Sequence, residues 1–235
     1  MSEATRAAYR EELERLEGLV LGGLELAAAA LSRTAEAVER QDVVAAARVI
    51  ADDDIIDGRY LEVHQAILAL LATQAPVAGD LRTCAALLHV MRSIERMGDQ
   101  CVNVAKLVPL VGHAPPCDQR MLANILEMAR AVGLQIEGAR RAFAERSVEQ
   151  ARDLVRQDDA VDRLNRECFR LAIEIGDDQD RREWAMTMLL VARALERIGD
   201  NAVDVGEQVA FVVTGLFHEF EDASHPREAV PGGAP

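Results

Sequence analysis

Apolar residues recur every three or four positions along nearly the whole chain, and no convincing segment alternates with a period of two. This spacing is typical of amphipathic helices and predicts an all-α fold. Prolines, glycines and acidic residues interrupt the pattern around Pro76, in "PLVGHAPPCD" and in "EIGDDQD". The predicted helices cover residues 5–39, 43–73, 78–110, 118–145, 148–175 and 180–217.

Two helix boundaries carry specific signals. Ser147 followed by Gln150 has the spacing of a capping box at the start of a helix. Further along, Gly176 is a helix stop, and either Asp177 or Asp178 is expected to cap the next helix. The first signal marks the start of the fifth helix, and the second predicts a short turn between the fifth and sixth helices.

The chain contains an internal repeat. "MRSIERMGDQCVNVAK" (91–106) aligns with "ARALERIGDNAVDVGE" (192–207) at an offset of 101, with seven identities in sixteen positions. The preceding helices also match, since "DDIIDGRYLE" (53–62) aligns with "DDAVDRLNRE" (158–167). We therefore predict two tandem three-helix bundles related by a pseudo-twofold repeat, in which the second and third helices of each form an antiparallel hairpin.

The repeat divides the chain into a first unit at 1–112 and a second at 113–217. The remaining segment, 218–235, is rich in proline and glycine and has few apolar residues to bury. Such a composition predicts a disordered tail.

Composition excludes several classes of function. The net charge of −14 and the aromatic content of 3% argue against nucleic-acid binding, which requires cationic surface and stacking platforms. The N-terminus lacks the order of a signal peptide, and no apolar run is long enough to span a bilayer. We expect a cytoplasmic protein, peripheral to a membrane at most.

The widely spaced cysteines of the chain are expected to be small buried residues; they are Cys84, Cys101, Cys117 and Cys168.

Each copy of the repeat carries two acidic pairs with the spacing [D/E]-x-x-x-D, which places both carboxylates on one helical face. The pairs are Asp53 with Asp57 and Glu95 with Asp99 in the first copy, and Asp158 with Asp162 and Glu196 with Asp200 in the second. An antiparallel hairpin brings two pairs side by side, so we expect four carboxylates on one patch in each half. One turn further along lie Asn103 and its counterpart Asp204, which are additional candidate ligands.

Two interpretations of these acids remain open: a solvated acidic face, or a metal site. An isolated pair favours the solvated face, because a helical chain with 40 acidic residues contains many such pairs. Recurrence of four pairs in register favours metal binding instead. A set of oxygen ligands suits hard or borderline cations, and the absence of histidine from the repeat argues against a histidine-based zinc site.

Two other residue types recur with the acids. Gly98 and Gly199 lie inside helices, where each costs about 1 kcal/mol relative to alanine, so we expect close helix packing or the approach of a metal-bridging group there. Arg92 and Arg193 recur beside the acids, and we favour salt bridging over anion binding for both; Arg96 and Arg197 show the same recurrence.

The two repeated blocks, "SIERMGDQCVNVAK" and "ALERIGDNAVDVGEQVAFVVTG", each preceded by a D-x-x-x-D helix, resemble the signature blocks of the PhoU family, regulators of the phosphate transport system. The resemblance extends to about residue 217. It implies multinuclear metal clusters on the eight acids of the four pairs, with iron or zinc ranked ahead of manganese or magnesium. Family members usually carry asparagine where this chain has Asp204, so the second site is expected to be more negative here.

The resemblance also implies a function without catalysis. Such a protein damps phosphate uptake and phosphate-starvation signalling through contacts with the ATPase subunit of the phosphate ABC transporter and with a sensor histidine kinase. We further expect a homodimer. Two alternatives stay open: a metal-independent helical adaptor, and a carboxylate-bridged metalloenzyme such as a di-iron oxidase. The enzyme is disfavoured because the chain lacks the Glu-x-x-His motif of that chemistry.

Overall fold

The computed structural model describes residues 3–111, 117–217 and 219–220. The described residues form six α-helices and one short 3₁₀ helix, and they contain no strand. The elements are α1 (Glu3–Arg40), α2 (Val43–Gln74), α3 (Gly79–Leu107), the 3₁₀ helix Val108–Val111, α4 (Gln119–Glu145), α5 (Val148–Ile173) and α6 (Gln179–Thr214). The prediction of an all-α fold is therefore confirmed.

The predicted caps are formed at the start of α5 and α6. The Ser147 hydroxyl accepts a hydrogen bond from the backbone N–H of Gln150 at 3.3 Å, while the Gln150 side chain donates to Glu145 instead of closing the capping box. Asp178, not Asp177, caps α6 by accepting from the N–H of Arg181.

Three helices end earlier than predicted. The α-helical part of α3 stops at Leu107 and tightens into a 3₁₀ turn, because Pro109 has no N–H and disfavours α geometry before it. The fifth helix ends at Ile173, before the turn in which Gly176 has φ of +76°. Gly215 also has φ of +76° and ends α6 at Thr214.

The two halves pack into one structure through their third helices. Helix α3 contacts α1 and α2 from its own half, and α6 contacts α4 and α5 from the other. The most extensive contact between any two helices joins α3 to α6, and α1 lies against α4. One hydrophobic core therefore runs through both three-helix bundles.

Several other features bear on the sequence predictions. None of the described helices contains an apolar stretch of the length that a membrane span requires. All four cysteines are free thiols, and three of them are buried, namely Cys84, Cys101 and Cys168. Most of the predicted tail, 218–235, lies outside the described residues. At its start, however, Phe220 packs against the core and its N–H donates to Glu207 Oε1 at 2.6 Å.

Candidate metal centre

The four acids of the first half lie together where α2 and α3 run antiparallel. The pKa of Asp53 is raised to about 6, chiefly by burial and then by the negative charges of Asp57, Asp99 and Glu95, in that order of importance. Like charges raise a carboxyl pKa only when they are near it. The predicted first quartet, Asp53, Asp57, Glu95 and Asp99, is therefore a single electrostatic cluster.

Glu95, like Asp53, is half-buried, whereas Asp57 and Asp99 are exposed. The Oε1 atom of Glu95 lies 3.0 Å from Arg92 Nη1, whereas its Oε2 atom is buried with no hydrogen-bond partner in the described part of the chain. Burial raises the pKa of Glu95, Arg92 opposes that shift, and Asp99 and Asp57 add to it. One carboxylate oxygen is thus neutralised by arginine, and the other is available to a ligand.

The four acids of the second half form a deeper cluster between α5 and α6. Asp158 is 3% exposed, and Asp162 and Glu196 are also buried. Although Asp200 retains contact with solvent, desolvation by the surrounding protein raises its pKa to about 7, and the charges of Asp158 and Glu196 contribute after it. The second quartet, Asp158, Asp162, Glu196 and Asp200, is therefore assembled as the repeat predicts.

Arginines neutralise part of the second quartet. Arg193 forms a close ion pair with Glu196, one turn along α6. Arg166 Nη1 lies 3.5 Å from Asp162 Oδ2. With Arg92 on Glu95 in the first half, the predicted salt-bridging role of the recurring arginines is confirmed for Arg92 and Arg193.

Sequence reasoning missed one member of the second cluster. Gln135 of α4 is fully buried, and its Nε2 atom donates a hydrogen bond to Asp158 Oδ1 at 2.9 Å. The only sequence signal was a polar residue on the apolar face of α4, between Val132 and Ile136. A third helix therefore contributes to the second quartet.

The two additional candidates have different surroundings. Asn103 of α3 is exposed, as are two acids of the first quartet. Burial raises the pKa of Asp204, Arg96 and His89 of α3 oppose that shift, and Glu219 adds to it. Asp204 therefore lies near the contact between α6 and α3 of the other half.

The carboxylate oxygens of the quartets suit hard cations, but their positions in this structure do not form a complete coordination sphere. Among the residues that the structure describes, no group of three or more His, Cys, Asp or Glu side chains is positioned to hold a metal ion. In each half, arginine pairs with one oxygen of the quartet's glutamate: Arg92 with Glu95 and Arg193 with Glu196. Cation binding at these two oxygens would require them to exchange arginine for metal.

Comparisons with known proteins match this architecture. A family model described as "PhoU domain" matches residues 23–108 and again residues 125–209. The phosphate-specific transport system accessory protein PhoU homolog of Clostridium acetobutylicum is 30% identical over 220 residues, which cover 93% of this chain and 100% of that protein. The PhoU homolog 1 of Mycobacterium leprae is 31% identical over 220 residues, which cover 91% of this chain and 96% of that protein.

Solved structures show the same fold. The crystal structure of PhoU from Pseudomonas aeruginosa superposes with a TM-score of 0.82 at 24% identity, covering 88% of this chain and 100% of that one. The phosphate transport system regulatory protein PhoU from Streptococcus pneumoniae superposes with a TM-score of 0.83 at 22% identity, covering 90% and 100%. On the evidence of the doubled domain match, the relatives and the shared fold, this chain belongs to the PhoU family.

Proposed function

We propose that this protein regulates phosphate transport by binding metal cations on its two carboxylate quartets and by contacting proteins of the transport and signalling machinery. The names of its relatives support the regulatory role, since they are accessory proteins of phosphate-specific transport. The observation that carries the metal proposal is the assembly of both quartets at equivalent places in the two halves.

The physical argument for cations is electrostatic. Burial raises the pKa values of Asp53 and Asp200 most, and the repulsion among the four carboxylates of each cluster raises them further, so the charged forms are unfavourable there. A multivalent cation replaces this repulsion with attraction, and carboxylates can bridge several metal ions. The ligands in the proposal are the eight acids of the two quartets, with iron, zinc, manganese and magnesium as candidate metals.

The proposed output passes through protein contacts. The ATPase subunit of a phosphate ABC transporter and a sensor histidine kinase are the proposed partners, in the cytoplasm, with the regulator acting as a homodimer. Exposed apolar side chains on the second hairpin, such as Phe169, Ile173 and Met186, offer surface for such contacts. No catalytic role is part of the proposal.

A gene deletion tests the regulatory role directly. In a strain without a second homologue, deletion should leave phosphate-starvation genes active, or phosphate uptake excessive, when phosphate is plentiful. The wild-type gene should restore repression. Normal repression in the deletion strain would contradict the proposal.

The same strain separates a metal-dependent regulator from a metal-independent adaptor. A double variant, Glu196→Gln with Asp200→Asn, removes half of the second quartet's charges while preserving side-chain size. Metal analysis of the purified variant should show loss of the second group of ions, and the variant should fail to restore repression. Full restoration by a protein that also carries Glu95→Gln with Asp99→Asn, and that is shown to lack metal, would instead support the adaptor.

A further inference from the structure

In the side-chain amide of Gln135, the N–H group has a hydrogen-bond acceptor, but the carbonyl oxygen has no donor among the described residues. Its Nε2 donates to Asp158 Oδ1 at 2.9 Å, while its Oε1 is buried without a hydrogen-bond partner in the described part of the chain. The residue itself is fully buried. An unpaired carbonyl oxygen in a protein interior is unfavourable, so packing alone does not account for a glutamine at this position.

The amide reaches the quartet because residue 199 has no side chain. Gln135 Oε1 lies 2.8 Å from the position that a Cβ would occupy on Gly199, and Asp158 Oδ1 lies 3.2 Å from the same point. Because residue 199 is glycine, the Gln135 amide and the Asp158 carboxylate both fit against the α6 backbone between Glu196 and Asp200. The unpaired oxygen is directed toward the same part of α6.

The first half has no equivalent amide. At the offset of 105 that relates Asp53 to Asp158, the counterpart of Gln135 is Ala30, which has no polar side chain. The nearest polar residue on the same face of α1 is Thr34, whose hydroxyl donates to Ala30 O of its own helix at 2.8 Å. In that half, Asp53 Oδ1 itself occupies the space over the glycine, 2.6 Å from the Cβ position of Gly98. The two quartets are therefore built differently despite the repeat.

We infer that Gln135 is a positioning residue for the second quartet, which fixes Asp158 by a hydrogen bond from α4 and makes this quartet a tighter cation site than the first. A donor on Oδ1 restrains the orientation of the Asp158 carboxylate relative to α6. Groups that orient metal ligands in this way typically contribute about 10- to 100-fold to metal affinity. The inference rests on the proposed function, because it assumes that the quartets bind cations.

The test measures the Mn²⁺ affinity of each quartet separately in the full-length protein. Glu95→Gln with Asp99→Asn disables the first quartet and leaves the second to be titrated. In that background, Gln135→Met should weaken Mn²⁺ binding about 10- to 100-fold, because methionine fills a similar volume without an N–H donor. Circular dichroism should show the same helical content in both proteins.

The reciprocal background supplies the controls. With Glu196→Gln and Asp200→Asn in place, the first quartet alone is titrated, and Gln135→Met should leave its affinity unchanged. Thr34→Val, which removes a buried hydroxyl from α1 of the first half, should also leave it unchanged. A merely structural role for Gln135 would alter both quartets equally or neither, and either result would overturn the inference.

A second measurement avoids any change at position 135. The side-chain amide resonances of Gln135 should shift when Mg²⁺ is added to the unmodified protein, because the acceptor Asp158 becomes a metal ligand. Resonances that stay unchanged while Mg²⁺ binds the second quartet would overturn the inference and leave the proposed function intact. If the unmodified chain binds neither Mn²⁺ nor Mg²⁺, the metal part of the proposed function fails, and the inference fails with it.

Discussion

Asp53 Oδ1 lies 2.6 Å from the position that a Cβ would take on Gly98, so a carboxylate of α2 rests directly on the bare backbone of α3. Ile56, one turn further along α2, approaches the same point to 3.1 Å. The glycine therefore permits a close approach of the two helices at the first quartet. This contact accounts for a residue that would otherwise only weaken the helix.

Gly98→Ala should disturb the first quartet more than it disturbs the fold. The added methyl must displace the Asp53 carboxylate, and overpacking typically costs about 1–3 kcal/mol. The helix gains about 1 kcal/mol of propensity in return, so the net loss of unfolding free energy should be small. Mn²⁺ affinity at the first quartet should fall clearly. Titration of the variant, in a background without the second quartet, checks this.

Gly58→Ala is the matched control for that experiment. Gly58 lies in α2 beside Asp57, and a Cβ there meets nothing within 4 Å. This variant should gain about 1 kcal/mol in urea unfolding and bind Mn²⁺ as the wild type does. Equal Mn²⁺ affinities for both alanine variants would show that the Asp53 contact does not matter for the site.

Gly206→Ala should destabilise the protein without touching either quartet. A Cβ at residue 206 would lie 2.8 Å from Leu154 Cδ1 and 3.1 Å from the backbone oxygen of Ala151, and a backbone atom cannot rotate away. We expect a net loss of about 1–2 kcal/mol in the free energy of unfolding, after the gain in helix propensity. Gly18→Ala, at an exposed position with nothing within 4 Å, should instead stabilise. Denaturant unfolding that ranks the two variants equally would contradict this packing account.

The repeat made the quartets predictable, because spacing along a helix determines which residues share a face and an antiparallel hairpin aligns two such faces. Arg92 and Arg193 were predictable for the same reason, since their partners lie three residues away on the same helix. Gln135 was not, because its contact with the quartet depends on how α4 packs against α5 and α6. Arg96 and His89, which act on Asp204, come from the other half of the molecule, and spacing along one helix does not predict such contacts.

Protonation of Asp53 and Asp200 should make the metal-free protein more stable as the pH falls from about 7 to about 4. Asp53 and Asp200 have folded-state pKa values of about 6 and about 7, above their ordinary value of 3.8. The folded state therefore binds more protons than the unfolded state in this window, and stability is lost as the pH rises through it. After discounting for solvent screening, each group contributes roughly 1 kcal/mol.

Asp200→Asn isolates this effect. The neutral amide cannot titrate, so the variant should be more stable than the metal-free wild type at pH 7, and the difference should shrink toward pH 4. Thermal unfolding in the presence of a chelator, across this pH range, measures both. A constant difference between the two proteins would mean that Asp200 is not held at a raised pKa.

Removal of metal should lower the melting temperature of the wild type. A ligand that binds only the native state stabilises it, and here it would also screen the carboxylates from one another. The melting temperature of protein purified with its metal should therefore fall on addition of a chelator. The variant Glu196→Gln with Asp200→Asn should show a smaller response, because only the first quartet still binds. Should the variant melt lower and respond to chelator as strongly as wild type, the acids form a solvated face.

Arg193 should compete with metal for Glu196. The two side chains form a close ion pair, so the Glu196 oxygen that faces Arg193 must leave the arginine before that oxygen can ligate a cation. Arg193→Gln removes that competitor, and a half-exposed ion pair of this kind contributes about 0.2–1 kcal/mol, so Mn²⁺ affinity at the second quartet should rise up to about fivefold. The metal-free variant should be less stable, because Asp200 and Glu196 lose a neutralising charge.

Arg40→Gln breaks a similar pair with Glu36 on α1 and should leave Mn²⁺ affinity unchanged. Weaker Mn²⁺ binding by Arg193→Gln would show that the arginine orients Glu196 for the metal and does not compete with it.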